Sequence, residues 1–149
     1  MRHRHLPPTL ILLALVLAAC GGNASSGGAA GPALDPSLPF QGALALGPVD
    51  AALAAEGEAL FGTRCSACHK LDERYVGPAL RGVTERRDPA WVMNMILAPD
   101  KMIQVDPDAQ ALFAEYGVPM TNQNLTEAEA RALVEYLHQT AAPQTASDS

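Results

Sequence analysis

The sequence predicts an all-α domain, and three observations point to it. The start and stop signals in its central part are all helical, and no stretch alternates polar and apolar side chains long enough to form a strand. Phe, Trp and Tyr make up only 5% of 149 residues, so the interior is expected to be filled partly by something other than large rings. The remaining composition narrows the field. Sixteen acids against ten bases give a net charge of −6, which excludes a protein covered by a phosphate-binding surface. Three cysteines are too few for a disulfide scaffold. The length suits one domain with extensions, and there is no internal repeat.

Residues 1–19 have the layout of an export signal, with Arg2 and Arg4 followed by an apolar run from Leu10 to Ala19. That run is shorter than the roughly 20 residues needed to span a bilayer. Leu17-Ala18-Ala19-Cys20-Gly21 resembles a bacterial lipobox. The resemblance implies that Cys20 carries lipid, anchoring the chain to a membrane without crossing it. The competing reading is an ordinary secretory signal in which Cys20 is incidental. Residues 20–49 are rich in Gly, Ala, Ser and Pro and are expected to form a flexible linker. The folded unit is placed at 50–141, with a disordered tail at 142–149.

Within that unit four helices are expected. Asp50 caps one that runs to about Gly62. Asp88-Pro89 opens a second, to about Ala98, which Pro99 ends. Asp106-Pro107 opens a third, to Tyr116, with Gly117 as its C-terminal cap. Thr126 to Glu129 is a capping box for the last, to about Gln139.

Cys65-Ser66-Ala67-Cys68-His69 carries the chemistry. Two thiols on one turn can each add to a vinyl group of a haem, and the adjacent imidazole can sit beneath the iron. Two other uses compete. A zinc site needs a fourth ligand, and His138 and Cys20 are the only other His and Cys beyond the signal. A redox dithiol belongs in a βαβ setting, which is missing here.

With these residues in place, the chain resembles a class I c-type cytochrome over nearly all of 50–141. Gly57 and Phe61 stand eight and four residues before Cys65, where that family presses its first helix against its last. The matching positions on the last helix are Leu133 and Tyr136. Tyr75 to Val83 resembles the family's Gly-Pro loop, which implies that the Pro78 carbonyl accepts the second N–H of His69. Arg81 and Trp91 fall where the family places donors to the haem propionates, although Trp91 also suits a plain core position. The implied fold is four to five short helices wrapped around one covalent haem c.

The candidates for the sixth ligand are Met93, Met95, Met102 and Met120. A thioether favours ferrous iron and raises the potential. Met93 and Met95 lie in a helical pattern and are expected to pack as core. Met120 stands on a loop just before the last helix, which is the family's order, and is the preferred ligand. Met102, in the presumed loop Pro99 to Met102, stays as the alternative. His138 is expected to be solvated.

The resemblance implies an electron carrier rather than an enzyme, monomeric and without nucleic acid, on the periplasmic side of a bacterial membrane. Its expected donor is a quinol-oxidising complex, and its acceptor an oxidase or periplasmic reductase. Val118 to Arg131 is similar to cytochromes that accompany nitrous-oxide reductases. A haem sensor or peroxidase-like protein with a displaceable methionine is the alternative, and a fixed electron-entry subunit is a third reading. Six of the eight bases beyond Cys20 lie between Arg64 and Arg87. They form either a ring around an exposed haem edge or a solvated loop offset by Asp72, Glu73, Glu85 and Asp88.

Overall fold

The computed structural model describes residues 34–141. The expected signal at 1–19, the lipid-bearing Cys20 and the tail at 142–149 lie outside the described residues. Six α-helices make up the fold: α1 (Ala51–Leu60), α2 (Val83–Arg86), α3 (Pro89–Leu97), α4 (Pro99–Val105), α5 (Pro107–Tyr116) and α6 (Glu127–Ala141). There is no strand among the described residues.

The caps follow the sequence closely. Asp50 accepts from the Ala52 and Leu53 amides, Asp88 from Ala90, and Asp106 from Ala109. At α6 the capping box closes both ways: Glu129 accepts from the Thr126 amide at 2.8 Å, while the Thr126 hydroxyl accepts from the Glu129 amide at 3.3 Å. Gly117 ends α5 in the left-handed region at φ 73°.

Two helices go beyond the expected four, and one of them corrects a boundary. Pro99 ends α3 but also opens α4, because proline's fixed φ suits a first helical turn as well as it stops the preceding one. Met102 therefore lies on a helix rather than a loop. The end of α1 differs too: after Leu60 the chain runs as a π-helical turn, Phe61–Cys65, closed by the Ser66 amide donating to the Phe61 carbonyl at 2.9 Å. Such a turn inserts one extra residue and re-aims the chain, here at the first cysteine.

The core is the crossing of α1 and α6. A Cβ on Gly57 would lie 2.0 Å from the Ala132 carbonyl oxygen, so only glycine allows this approach. Phe61 and Tyr136 rings meet beside it at 5.4 Å, and Leu133 is fully buried in the same cluster with Met93 and Ile96.

Residues 34–49, the described part of the segment expected to be a flexible linker, lie as a strap against the helices. Asn94, wholly buried, accepts from the Phe40 amide at 3.0 Å and donates to the Phe40 carbonyl at 2.9 Å. Leu38 is buried against Met102, while Phe40, Leu44 and Leu46 pack on the main core. Farther along, the buried Glu135 accepts from the Asp50 amide, and the partly exposed His138 also pairs with the Gly47 carbonyl at 3.0 Å. Composition alone gave no sign of this. The strap is built from single aliphatic residues whose partners are distant in sequence. No helix among the described residues is long and apolar enough to cross a membrane.

Candidate functional site

The π-turn delivers Cys65, and the next residues turn back on themselves. The Cys68 and His69 amides both donate to the Cys65 carbonyl, at 3.0 and 2.9 Å. A backbone ladder then fastens this turn to residues 77–81: Gly77 to the Cys68 carbonyl at 2.8 Å, Leu80 to Lys70 at 3.0 Å and Arg81 to Leu71 at 2.8 Å. The ladder brings Pro78 under the imidazole. His69 Nδ1 lies 3.0 Å from the Pro78 carbonyl oxygen, and a carbonyl can only accept, so Nδ1 carries the proton. Nε2 is left with its lone pair, the form a metal ligand needs.

Gly77 makes this approach possible. A Cβ there would stand 2.5 Å from His69 Cε1, well inside van der Waals contact. The resemblance implied the Pro78 carbonyl as partner of His69 but gave no sign that Gly77 must stay bare for the ring to approach.

Two adjoining, partly open cavities share Cys65, His69, Pro78, Met95, Leu112 and Met120 as walls. Their remaining lining is mostly aliphatic and aromatic. It includes Phe61, Trp91, Leu133 and Leu137 on one side and Val76, Phe113, Tyr116, Val118 and Pro119 on the other. Met120, half-buried on the loop after α5, therefore lines the same space as His69. Met102 does not: it is fully buried with Leu38 and Ala109 and lines neither cavity. Met95, expected to be ordinary core, lines both cavities from α3 and replaces Met102 as the second thioether within the site. Met93 is core, as expected.

The two expected propionate donors are placed differently with respect to the cavity. Arg81 lies outside the cavity walls, its guanidinium bonded to both carboxylate oxygens of Asp72 and, at 2.9 Å, to the Thr140 carbonyl. Its backbone is part of the proximal ladder, which turns the side chain toward the end of α6. Trp91 does line the cavity with its ring, but its N–H is committed to Asp106 at 3.0 Å. The cations at the cavity wall are Arg64 on one side and Arg86 and Arg87 on the other. Arg87 lies over the Trp91 ring at 5.0 Å and pairs with Asp108. In the sequence these arginines are indistinguishable from their neighbours.

Half of the basic run is paired with acids where it folds. Arg74 pairs with Glu115, Arg81 with Asp72 and Arg87 with Asp108. Lys70 donates to the Ser66 carbonyl, and Arg86 to the carbonyls of Ala79 and Arg81. Of the acids expected to offset the run, only Asp72 does so; two come from α5.

The thiols fit covalent attachment better than the rival chemistries. Burial, with Cys68 beside it, pushes the Cys65 thiol up to about 11. A reactive dithiol needs its attacking thiol lowered. No group of three His, Cys, Asp or Glu side chains able to hold a metal occurs among the described residues, so zinc has no ligand set there. Two free thiols at the wall of a mostly apolar space, with an imidazole and a thioether sulfur also lining it, suit a flat apolar macrocycle. An all-helical fold with this site defines a c-type cytochrome.

Comparison with known proteins places the chain within that class. The Cytochrome c family matches residues 54–141, and the chain belongs to it. It is 36% identical over 105 residues to cytochrome c-551 of Stutzerimonas stutzeri, covering 70% of this chain and 92% of that protein. Among solved structures, cytochrome c from Rhodothermus marinus superposes with a TM-score of 0.64 at 55% identity, over 66% of this chain and 85% of that one. A cytochrome c domain from Pseudomonas putida gives 0.52 at 40% identity, over 56% of this chain and 85% of that one. As in its family, one haem c is attached covalently through cysteines, and Cys65 and Cys68 are the free thiols of the described chain. The protein is a monohaem electron carrier.

Proposed function

We propose that this cytochrome is a lipid-anchored periplasmic shuttle with His69 and Met120 as axial ligands. In this reading Cys20 holds the membrane, and single electrons pass from a quinol-oxidising complex to an oxidase or a periplasmic reductase, nitrous-oxide reductase among the candidates. Bound haem supplies the redox chemistry, its iron alternating between ferric and ferrous. The chain's task is to keep two ligands in place in both states, which limits rearrangement and favours fast transfer in brief encounters.

One observation carries the reading: His69, with Nδ1 tied to the Pro78 carbonyl, shares its cavity with Met120 while no carboxylate and no second histidine lines that space. A peroxidase-like protein needs an acid or base within reach of the distal face, and a gas sensor needs an open one. The same pairing of bases with acids argues that partner docking is weakly steered by charge. Association with a redox partner is therefore expected to slow less than tenfold as ionic strength rises from 10 to 200 mM, on the order of the modest steering left to paired surface charges.

The test is the ferric near-infrared sulfur-to-iron band of the holoprotein. Met120→Ala is expected to abolish it, while Met95→Ala and Met102→Ala keep it. Retention in Met120→Ala, or rapid CO binding by the untreated ferrous protein, overturns the ligand assignment. Labelling with palmitate that is lost in Cys20→Ser tests the anchor separately.

A further inference from the structure

The cavity has two walls built by different parts of the chain, and one side chain joins them. The proximal wall is the 65–81 turn and ladder. The other wall at the open edge is the end of α5 and the loop to Met120, with Phe113, Tyr116, Val118 and Pro119. Arg74, at the tip of the proximal loop, donates to the Glu115 carboxylate at 2.7 Å and to the Glu115 backbone carbonyl at 3.3 Å, and its guanidinium lies 4.0 Å from the centre of the Tyr116 ring. No other hydrogen bond among the described residues joins 69–80 to 107–121.

Each contact has its own physical basis. The Glu115 carbonyl belongs to the last turn of α5, where carbonyls lack helical partners and a cation is favoured. Tyr116 is held between the guanidinium on one face and the cavity it lines. Immediately after it, Gly117 reverses the chain and leads through Pro119 to Met120.

We propose that Arg74 is a clasp across the haem edge: by capping α5 and pinning Tyr116 it positions the Met120 loop and sets how readily that loop opens. This deepens the reading of Met120 as ligand and rests on it. Arg74 and Glu115 are each 55% exposed, so water competes with the pair and the effect is moderate. Opening of the loop is expected to become roughly 3- to 10-fold more frequent without the clasp, the range of an exposed ion pair with a cation–π contact.

Two measurements on the ferric holoprotein test this. Added imidazole is expected to displace the native ligand about 3- to 10-fold faster in Arg74→Ala, and amide deuterium exchange at 113–120 to rise by a similar factor, with α1 and α6 unchanged. Arg74→Lys keeps the charge but loses the fork, and is expected to recover part of the difference. Lys101→Ala, a base on α4 that donates to the strap at the Ser37 carbonyl, leaves both rates at parent values. Parent-like rates in Arg74→Ala, or exchange that rises equally in α1 and α6, overturn the clasp. If Met120→Ala shows another ligand, exchange at 113–120 still decides the clasp on its own.

Discussion

The two walls of the cavity are made by contrasting means. On the His69 side, three backbone hydrogen bonds, the Nδ1 contact to Pro78 and the bare Cα of Gly77 fix the turn from several directions. On the Met120 side, residues 117–126 hang between two helix ends. Asn122 donates to the Leu97 carbonyl at 3.2 Å and accepts from the Asn124 amide, Asn124 sits at φ 53°, and the capping box closes the far end. The contrast shows where rigidity is placed. His69, beside the two cysteines, is over-determined by backbone, and Met120, on the other wall, is kept in place by side chains. Loops of the second kind open first.

That contrast can be broken or sharpened by experiment. The largest effect is expected from leaving the haem out. A helical shell around an unfilled apolar cavity lacks the contacts that hold it closed, so the apoprotein should lose its cooperative thermal transition. A transition as high as that of the holoprotein would show both walls standing without the cofactor. Next is Gly77→Ala, whose Cβ would collide with the imidazole. It should cost about 3 kcal/mol, the upper range for an overpacked site, seen as a drop in the holoprotein's Tm of roughly 10 °C or more.

The corresponding cut on the other wall, Asn122→Ala, removes one exposed hydrogen bond and should cost about 0.5–1 kcal/mol; a loss equal to that of Gly77→Ala would erase the distinction. The smallest effect at neutral pH belongs to Tyr136→Phe, behind both walls. Burial raises the Tyr136 phenol above its usual range, Glu58 adding to the shift and Arg81 opposing it. A raised acid pKa stabilises the fold below the unfolded value, about 10, and that contribution is lost as pH climbs through the folded one. Denaturation followed against pH should therefore show an alkaline decline above about pH 10 that is shallower in Tyr136→Phe.

Much of the site was legible because its signals are local. Cys65, Cys68 and His69 lie within one turn, and Pro78 follows a glycine in a short loop, so spacing along the chain already brings them together. The Gly57 crossing was readable through the family resemblance, which places a helix contact at a position eight residues before Cys65. The failures have the opposite character. Arg81 and Arg87 look alike in sequence, yet the proximal ladder turns one toward Thr140 while the helix start at Pro89 sets the other against Trp91 and the cavity. Met95 and Met102 are both helical methionines, and only the packing of α3 and α4 decides which one meets the cavity.

The amino-acid sequence by itself determined the helical class, the capped helix starts and the cluster of thiols and imidazole, since each depends on residues within a few positions of one another. The tertiary structure decided what depends on distant partners. It turned a supposed linker into a strap through Asn94, paired two bases of the basic run with acids on α5, and joined the two cavity walls through Arg74. Charge pairing and side-chain burial act between surfaces that meet only when the chain is folded, and one-dimensional spacing carries no record of which surfaces those are.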